Sequence, residues 1–156
     1  MHKSAFPGQR PAGFTFVELV VAIAIIVVLA TVAVPSYSNY RERAKVSQAI
    51  TDIGALNVKA RHYILENRFP PPSLAAIGAA GQLDPWGNPY VYVDLTTAGI
   101  AKARKNKNLV PINSEYDLYS KGNDGLSNLP LTVPVSRDDV ILANDGRYIG
   151  LASKYE

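Results

Sequence analysis

Residues 14–34 read FTFVELVVAIAIIVVLATVAV, an apolar run that contains one acidic residue, Glu18. A helix rises about 1.5 Å per residue, so this run is long enough to cross a hydrocarbon core of about 30 Å. An acidic side chain at the centre of a spanning helix costs roughly 2.5 to 3.5 kcal/mol, and such residues usually have a partner and a function. Glu18 is therefore the first candidate functional residue.

A basic leader, residues 1–13, precedes this run and carries Lys3 and Arg10. A secretory signal has its small-residue cleavage site after the apolar region, whereas here the small-residue junction, Ala12-Gly13, comes before it. Cleavage at this junction would leave the apolar helix on the mature protein. Positive charge in front of a first span keeps that side in the cytoplasm, so we expect the rest of the chain outside the cytoplasm.

The junction Gly13-Phe14-Thr15-Phe16-Val17-Glu18-Leu19 resembles that of the type IV pilin and type II secretion pseudopilin superfamily. The resemblance implies cleavage between Gly13 and Phe14 by a prepilin peptidase, followed by N-methylation of the new Phe14 amine. It also implies that Glu18 faces the N-terminal amine of a neighbouring subunit in a filament. Pro35 matches the proline at which the long helix of this family bends or melts. The alternative is a simple signal anchor whose Glu18 lies near the membrane interface, where a charge costs little.

Four segments are expected from the apolar run, the helical periodicity and the prolines that follow. Apolar residues recur at three- and four-residue spacings from residue 46 to residue 64, which predicts an amphipathic continuation of the helix. Consecutive prolines at 70–72 end it, because proline lacks the amide donor that a helix needs. The segments are a cleaved leader (1–13), a transmembrane and assembly helix (14–35), an amphipathic soluble helix (36–69) and a small globular domain (70–156).

The globular domain is expected to be a small antiparallel sheet. Residues 90–93 and 116–119 have the β-branched and aromatic composition of strands, and a third strand is expected within 147–151. Residues 74–80 are expected to form a helical turn. The predicted fold class is therefore α+β, with the long helix packed on the sheet.

Charge and cysteine content limit the possible functions. Removal of Lys3 and Arg10 lowers the sixteen basic side chains to fourteen, against thirteen acidic ones, so net charge gives no support for a nucleic-acid partner. The chain has no cysteine, although its expected location permits disulfides. On resemblance it is therefore closer to the calcium-dependent major pseudopilins than to pilins that close this region with a disulfide.

Residues 84–90, DPWGNPY, resemble a turn of the major pseudopilins. Physically, Trp86 is expected to fill a core pocket beneath a tight turn, and Gly87 is expected to take a positive φ angle. A ligand-binding role for Trp86 is the alternative.

Residues 116–125, YDLYSKGNDG, resemble the strand and loop that hold calcium in the same family. Calcium takes six to eight oxygen ligands at about 2.3 to 2.6 Å. Asn123 and Asp117 are lower-ranked candidates for calcium ligands than those that the resemblance implies. The resemblance implies that the ligands are the backbone carbonyl of Lys121 and the side chains of Asp124, Asp138 and Asp139.

This chain departs from the family loop in two ways. Residues 126–136 are longer and poorer in glycine than the family loop, and no tryptophan follows Asp138-Asp139. The alternative to calcium is that residues 122–125 form an ordinary turn and that Asp138-Asp139 cap a short helix.

A basic cluster between the first two expected strands is interpreted as a solvated loop. A surface for an anionic partner, such as another subunit, lipid headgroups or DNA, is the alternative. The cluster consists of Lys102, Arg104, Lys105 and Lys107.

The predicted function is structural rather than enzymatic. The resemblance implies a single-pass inner-membrane protein with a periplasmic domain, which polymerises with other subunits and minor pseudopilins into a pseudopilus that drives type II secretion. It also implies a prepilin peptidase and an inner-membrane assembly platform as partners. Alternatives are a type IV pilin or minor pilin for adhesion, motility or DNA uptake, and a membrane-anchored enzyme. The sequence offers few candidate catalytic residues for an enzyme, since His62 is the only histidine outside the leader and the sequence contains no cysteine nucleophile.

Overall fold

The computed structural model describes residues 13–155, which form an α+β fold with a long N-terminal helix and an antiparallel sheet. The first twelve residues of the expected leader and Glu156 lie outside the described residues. The chain divides between Tyr40 and Arg41 into two units. The helices are α1 (Phe16–Asn67) and α2 (Leu95–Ala98), and the strands are β1 (Val91–Asp94), β2 (Tyr116–Ser120), β3 (Val140–Ala143) and β4 (Tyr148–Leu151). Short 3₁₀ turns occupy Leu74–Ile77, Ile100–Lys102, Pro134–Ser136, Asn144–Gly146 and Ala152–Lys154.

The N-terminal unit contains the apolar start of α1, whose large side chains, such as Ile26 and Leu29, are exposed. By length and composition this helix can cross a membrane. The helix continues through Pro35 rather than melting there. Next to this proline, Ser36 Oγ donates a hydrogen bond to the Val32 carbonyl at 2.9 Å.

The C-terminal unit packs the second half of α1 on the sheet. Strands follow one another in the order β1-β2-β3-β4, and each neighbouring pair is antiparallel. The expected apolar face of the helix forms the core and is fully buried. It comprises Ala49, Ile53, Leu56 and Ala60, packed with Leu118, Val140 and Leu142 from β2 and β3.

The strand β3 was not predicted from the sequence, whereas β1, β2 and β4 were. All its residues are buried, because Val140 and Leu142 join the core under α1 while Ile141 and Ala143 join a second cluster on the other side. A strand covered on both faces lacks the apolar-polar alternation that marks a half-exposed strand. The opposite face of the sheet is therefore also covered, by loop residues that include Ile112 and Leu131.

The turn at residues 84–90 forms as predicted. Asp84 Oδ1 accepts hydrogen bonds from the amides of Trp86 and Asn88 at 3.0 and 2.8 Å, and Gly87 has a φ of +94°. Trp86 packs against the core, and its Nε1 donates to Glu42 Oε1 at 3.0 Å. The expected packing role of Trp86 is thus confirmed.

Candidate functional site

The expected cleavage junction lies immediately before α1. Residues 13–15 have no regular secondary structure, and Phe14 is 88% exposed. Among the described residues, no atom other than those of its chain neighbours lies within 4 Å of where a Cβ of Gly13 would be. The junction is therefore an accessible segment without regular secondary structure, and it leads directly into the helix.

Glu18 forms a capping box with Thr15 at the start of α1. The Thr15 amide and Thr15 Oγ1 both donate to Glu18 Oε2 at 2.8 Å, and the Glu18 amide lies 3.3 Å from Thr15 Oγ1. This reciprocal arrangement satisfies amides that a helix start leaves without partners, and it places a negative charge where the helix dipole favours one. Within a single chain Glu18 thus has local hydrogen bonds but no basic partner among the interactions of the described residues.

The loop after β2 brings several of the expected calcium ligands together. Gly122 has a φ of +63°, and its backbone lies directly against Asp138. Asp138 Oδ2 accepts hydrogen bonds from the amides of Asn123 at 2.9 Å and Asp124 at 3.2 Å. Asp124 Oδ1 accepts the Leu126 amide at 2.7 Å, so that carboxylate closes its own turn. The turn interpretation of residues 122–125 therefore describes their geometry.

Asn88 of the preceding turn holds the start of this loop. Its Nδ2 donates to the Gly122 carbonyl at 3.0 Å, and its Oδ1 lies 3.1 Å from where a Cβ of Gly125 would be. The two motifs that the sequence singled out, residues 84–90 and 116–125, thus pack together. The turn at residues 84–90 therefore holds the start of the loop after β2 in place.

Asp139 points away from Asp138 and forms a buried ion pair with Arg104. Arg104 Nη2 lies 2.6 Å from Asp139 Oδ2, and the two side chains are 1% and 0% exposed. Ser127 Oγ donates to the same oxygen at 2.7 Å and also contacts Arg104 Nη1. Burial raises the pKa of the Asp139 carboxyl to about 6, although the Arg104 guanidinium acts in the opposite direction.

Asp117 is a second buried carboxylate beside the same arginine. Its Oδ2 accepts the backbone amide of Arg104 at 2.6 Å, and its Oδ1 accepts Asn113 Nδ2 at 2.9 Å. Burial raises the pKa of the Asp117 carboxyl. Both oxygens of Asp117 therefore have protein partners.

Arg104 does not lie in a solvated basic loop, and that interpretation is wrong for this residue. It is 1% exposed, whereas Lys102 and Lys107 of the same cluster are exposed. A guanidinium can be buried when a carboxylate neutralises it. Nη1 and Nη2 of Arg104 have such partners, whereas its buried Nε has no hydrogen-bond partner among the described residues. The partner residues lie 23 and 35 positions away in the sequence, so no local pattern indicated them.

The structure does not gather the expected calcium ligands into one cluster of side chains. In the part of the chain that the structure describes, no group of three or more His, Cys, Asp or Glu side chains is placed to share a metal. Asp139 Oδ1 is buried without a hydrogen-bond partner among these residues, but its other oxygen already faces a guanidinium. Calcium binding by Lys121, Asp124, Asp138 and Asp139 stays a prediction.

The capping role of Glu18 was missed in the sequence, although its signal was present. Thr15-Phe16-Val17-Glu18 has the T-x-x-E spacing of a capping box directly before an apolar run. The same carboxylate can therefore serve the helix start in the monomer.

Comparisons with known proteins bear on the N-terminal junction and on most of the chain. Residues 9–34 match the prokaryotic N-terminal methylation motif family. The chain is 31% identical over 137 residues to a fimbrial protein of Neisseria meningitidis serogroup A / serotype 4A, covering 85% of this chain and 79% of that protein. No solved structure is significantly similar.

Other relatives carry a different name at similar identity. The type II secretion system core protein G of Escherichia coli (strain K12) is 33% identical over 138 residues, covering 75% of this chain and 85% of that protein. Core protein G of Klebsiella pneumoniae is 31% identical over 139 residues, covering 85% of this chain and 94% of that protein. The similarity thus extends well beyond the N-terminal helix and includes both kinds of protein.

Proposed function

The chain belongs to the type IV pilin and type II secretion pseudopilin superfamily, and on this premise we propose that it is the major pseudopilin of a type II secretion system. Members of this superfamily are structural subunits that assemble into filaments with other pilin subunits, so the chain is a filament subunit and not an enzyme. The observation that carries the proposal is the start of α1, where an exposed apolar helix has Glu18 in its first turn.

The exposed apolar side chains of α1 need an apolar environment at every stage. Before assembly a bilayer supplies it, because the helix is long and apolar enough to cross one. In a filament the neighbouring helices would supply it instead. The proposed mechanism is addition of subunits from the inner membrane by an assembly platform and a cytoplasmic ATPase, so that the growing pseudopilus pushes periplasmic cargo outward.

Orientation follows from the leader charges. Lys3 and Arg10 lie on the N-terminal side of the apolar run, and positive residues beside a first span stay in the cytoplasm. We therefore infer a periplasmic location for the globular domain and a cytoplasmic location for the cleavage junction. A prepilin peptidase acting on the cytoplasmic face would reach it.

The secretion role rests on two observations. The chain carries DPWGNPY at residues 84–90, which resembles a turn of the major pseudopilins. It also lacks cysteine, which excludes a disulfide-closed C-terminal region. The second candidate, a type IV pilin, is favoured by the similarity to the fimbrial protein over 85% of this chain.

N-terminal sequencing of the membrane-extracted protein is expected to begin at Phe14, with a methylated amine. The reason is that Gly13 and Phe14 form an accessible junction within the matched motif. Replacing Gly13 with a bulky residue such as Leu should leave the leader attached, whereas replacing Ala12 with Ser should not. An intact Met1 on the wild-type protein, or a chain without the apolar run, would exclude membership of the processed class.

Deletion of the gene is expected to abolish protein secretion and to leave surface pili and twitching unchanged. A core pseudopilin is required for the secretion filament, whereas pili use their own major subunit. Plasmid-borne wild-type protein should restore secretion. Loss of pili with normal secretion would instead assign the chain to a type IV pilus.

A further inference from the structure

The chain itself supplies a cation beside the C-terminal loop. Arg104 is buried to 1% exposure between two carboxylates, with Asp139 at its guanidinium and Asp117 at its backbone amide. We propose that the Arg104 guanidinium takes the place of a metal ion in closing the loop after β2, so that this domain folds without calcium.

Asp139 needs a compensating positive charge because its side chain is fully buried. A buried carboxylate is costly unless an opposite charge and hydrogen bonds compensate it. Asp139 Oδ2 receives both from Arg104 Nη2 at 2.6 Å and from Ser127 Oγ at 2.7 Å. The charge that a divalent ion would neutralise at Asp139 is thus already neutralised.

The loop after β2 is attached to Arg104 and Lys105 by hydrogen bonds. Ser127 belongs to residues 126–136, the stretch that is longer and poorer in glycine than the family loop. By contacting both Arg104 and Asp139, Ser127 connects this stretch to the sheet. The Leu129 carbonyl and the Leu131 amide pair with the backbone of Lys105, next to Arg104, at 2.8 and 2.9 Å. Arg104 and its neighbour therefore tie the loop at several points.

An aromatic ring beside Arg104 favours a planar cation at this position. The guanidinium carbon of Arg104 lies 4.2 Å from the ring centroid of Tyr119 on β2, a distance at which a planar cation stacks on an aromatic ring. Such stacking and paired donors suit arginine rather than a compact ion. The site is therefore built for a guanidinium.

One oxygen of each of the other two expected aspartate ligands has a protein partner. Asp138 Oδ2 accepts the amides of Asn123 and Asp124, and Asp124 Oδ1 accepts the amide of Leu126. These hydrogen bonds close the turn with protein groups alone. None of these hydrogen bonds involves Asp139.

The test measures thermal unfolding of the mature full-length chain in detergent, followed by the fluorescence of Trp86, the only tryptophan. After chelation, calcium is expected to leave the midpoint unchanged, and the purified protein is expected to contain substoichiometric calcium. Arg104→Met should lower the midpoint by at least about 12 °C, and calcium should not restore it, because removing one partner leaves a buried charge. Arg61→Met is the matched control, since its ion pair with Glu115 is 38% exposed on both sides, and it should cost at most about 8 °C.

A double-mutant cycle separates the effect of losing the Arg104–Asp139 ion pair from the effect of changing side-chain size. Combining Arg104→Met with Asp139→Leu should recover part of the loss seen in each single variant, because an apolar pair of similar volume can replace a buried ion pair. A calcium-dependent rise of roughly 10 °C or more in the wild-type midpoint, as expected for a ligand at a hundredfold excess over Kd, would overturn the proposal. So would an Arg104→Met midpoint no lower than that of Arg61→Met. The calcium dependence of the wild-type midpoint tests the proposal even if Arg104→Met does not accumulate.

Discussion

Filaments are expected to disappear when Glu18 is replaced by Gln, while the monomer remains in the membrane. Gln keeps the length of the side chain and an oxygen that can accept the hydrogen bonds from Thr15, so the capping box can persist. Only the negative charge is lost. Its removal favours membrane insertion, because an acidic side chain in a spanning helix costs roughly 2.5 to 3.5 kcal/mol.

The loss of assembly follows from the partner that the superfamily implies, the N-terminal amine of a neighbouring subunit. Removing one member of a buried ion pair costs about 3 to 5 kcal/mol, which corresponds to more than a hundredfold in each subunit contact. Filament yield is measured by shearing or crosslinking, with the membrane fraction as the reference for monomer.

Thr15→Val is the matched control for the capping role. It removes Thr15 Oγ1 but leaves the Glu18 carboxylate and the Thr15 amide in place. Loss of the capping hydroxyl costs about 1 kcal/mol, so filaments should remain near the wild-type level. If Thr15→Val removes filaments as completely as Glu18→Gln, or if Glu18→Gln assembles normally, Glu18 acts as a helix cap and not as a charge in assembly.

The fold was predictable where a pattern is local. The apolar run at 14–34 and the three- and four-residue spacings that follow it predicted α1, and prolines 70–72 predicted its end. The strand β3 was not predicted because its four residues face two different apolar clusters. Its sequence therefore lacks the alternation of apolar and polar residues that marks a half-exposed strand. A buried central strand is determined by what covers both of its faces.

The candidate site was predictable only in part, for a related reason. Thr15 and Glu18 lie three residues apart, so the capping box can be recognised in the sequence. The pairing of Arg104 with Asp139 spans 35 positions and depends on how the loop crosses the sheet. A basic residue within a run of lysines has the composition of a solvated loop, and only its buried partner distinguishes it.

Replacing Gly122 with Ala is expected to destabilise the globular domain by about 2 to 5 kcal/mol. A left-handed backbone conformation costs a residue with a Cβ roughly 1 to 2 kcal/mol, and overpacking typically adds about 1 to 3 kcal/mol. Gly122 has a φ of +63°, and a Cβ there would lie 2.5 Å from the Asp138 carbonyl oxygen and 2.6 Å from Asp138 Oδ2. The neighbouring atoms include backbone, so they cannot move away without displacing the start of β3.

Gly78→Ala provides the comparison that isolates this contact. Gly78 has a φ of +68°, nearly the same backbone conformation, but no atom lies within 4 Å of its Cβ position. It should therefore cost only about 1 to 2 kcal/mol. Denaturant unfolding monitored by Trp86 fluorescence gives both values in the mature chain. Equal losses of unfolding free energy for the two variants would mean that the loop can move away from Asp138. A larger loss for Gly122→Ala means that close packing between the loop and Asp138 stabilises the domain. This conclusion does not depend on which cation neutralises Asp139.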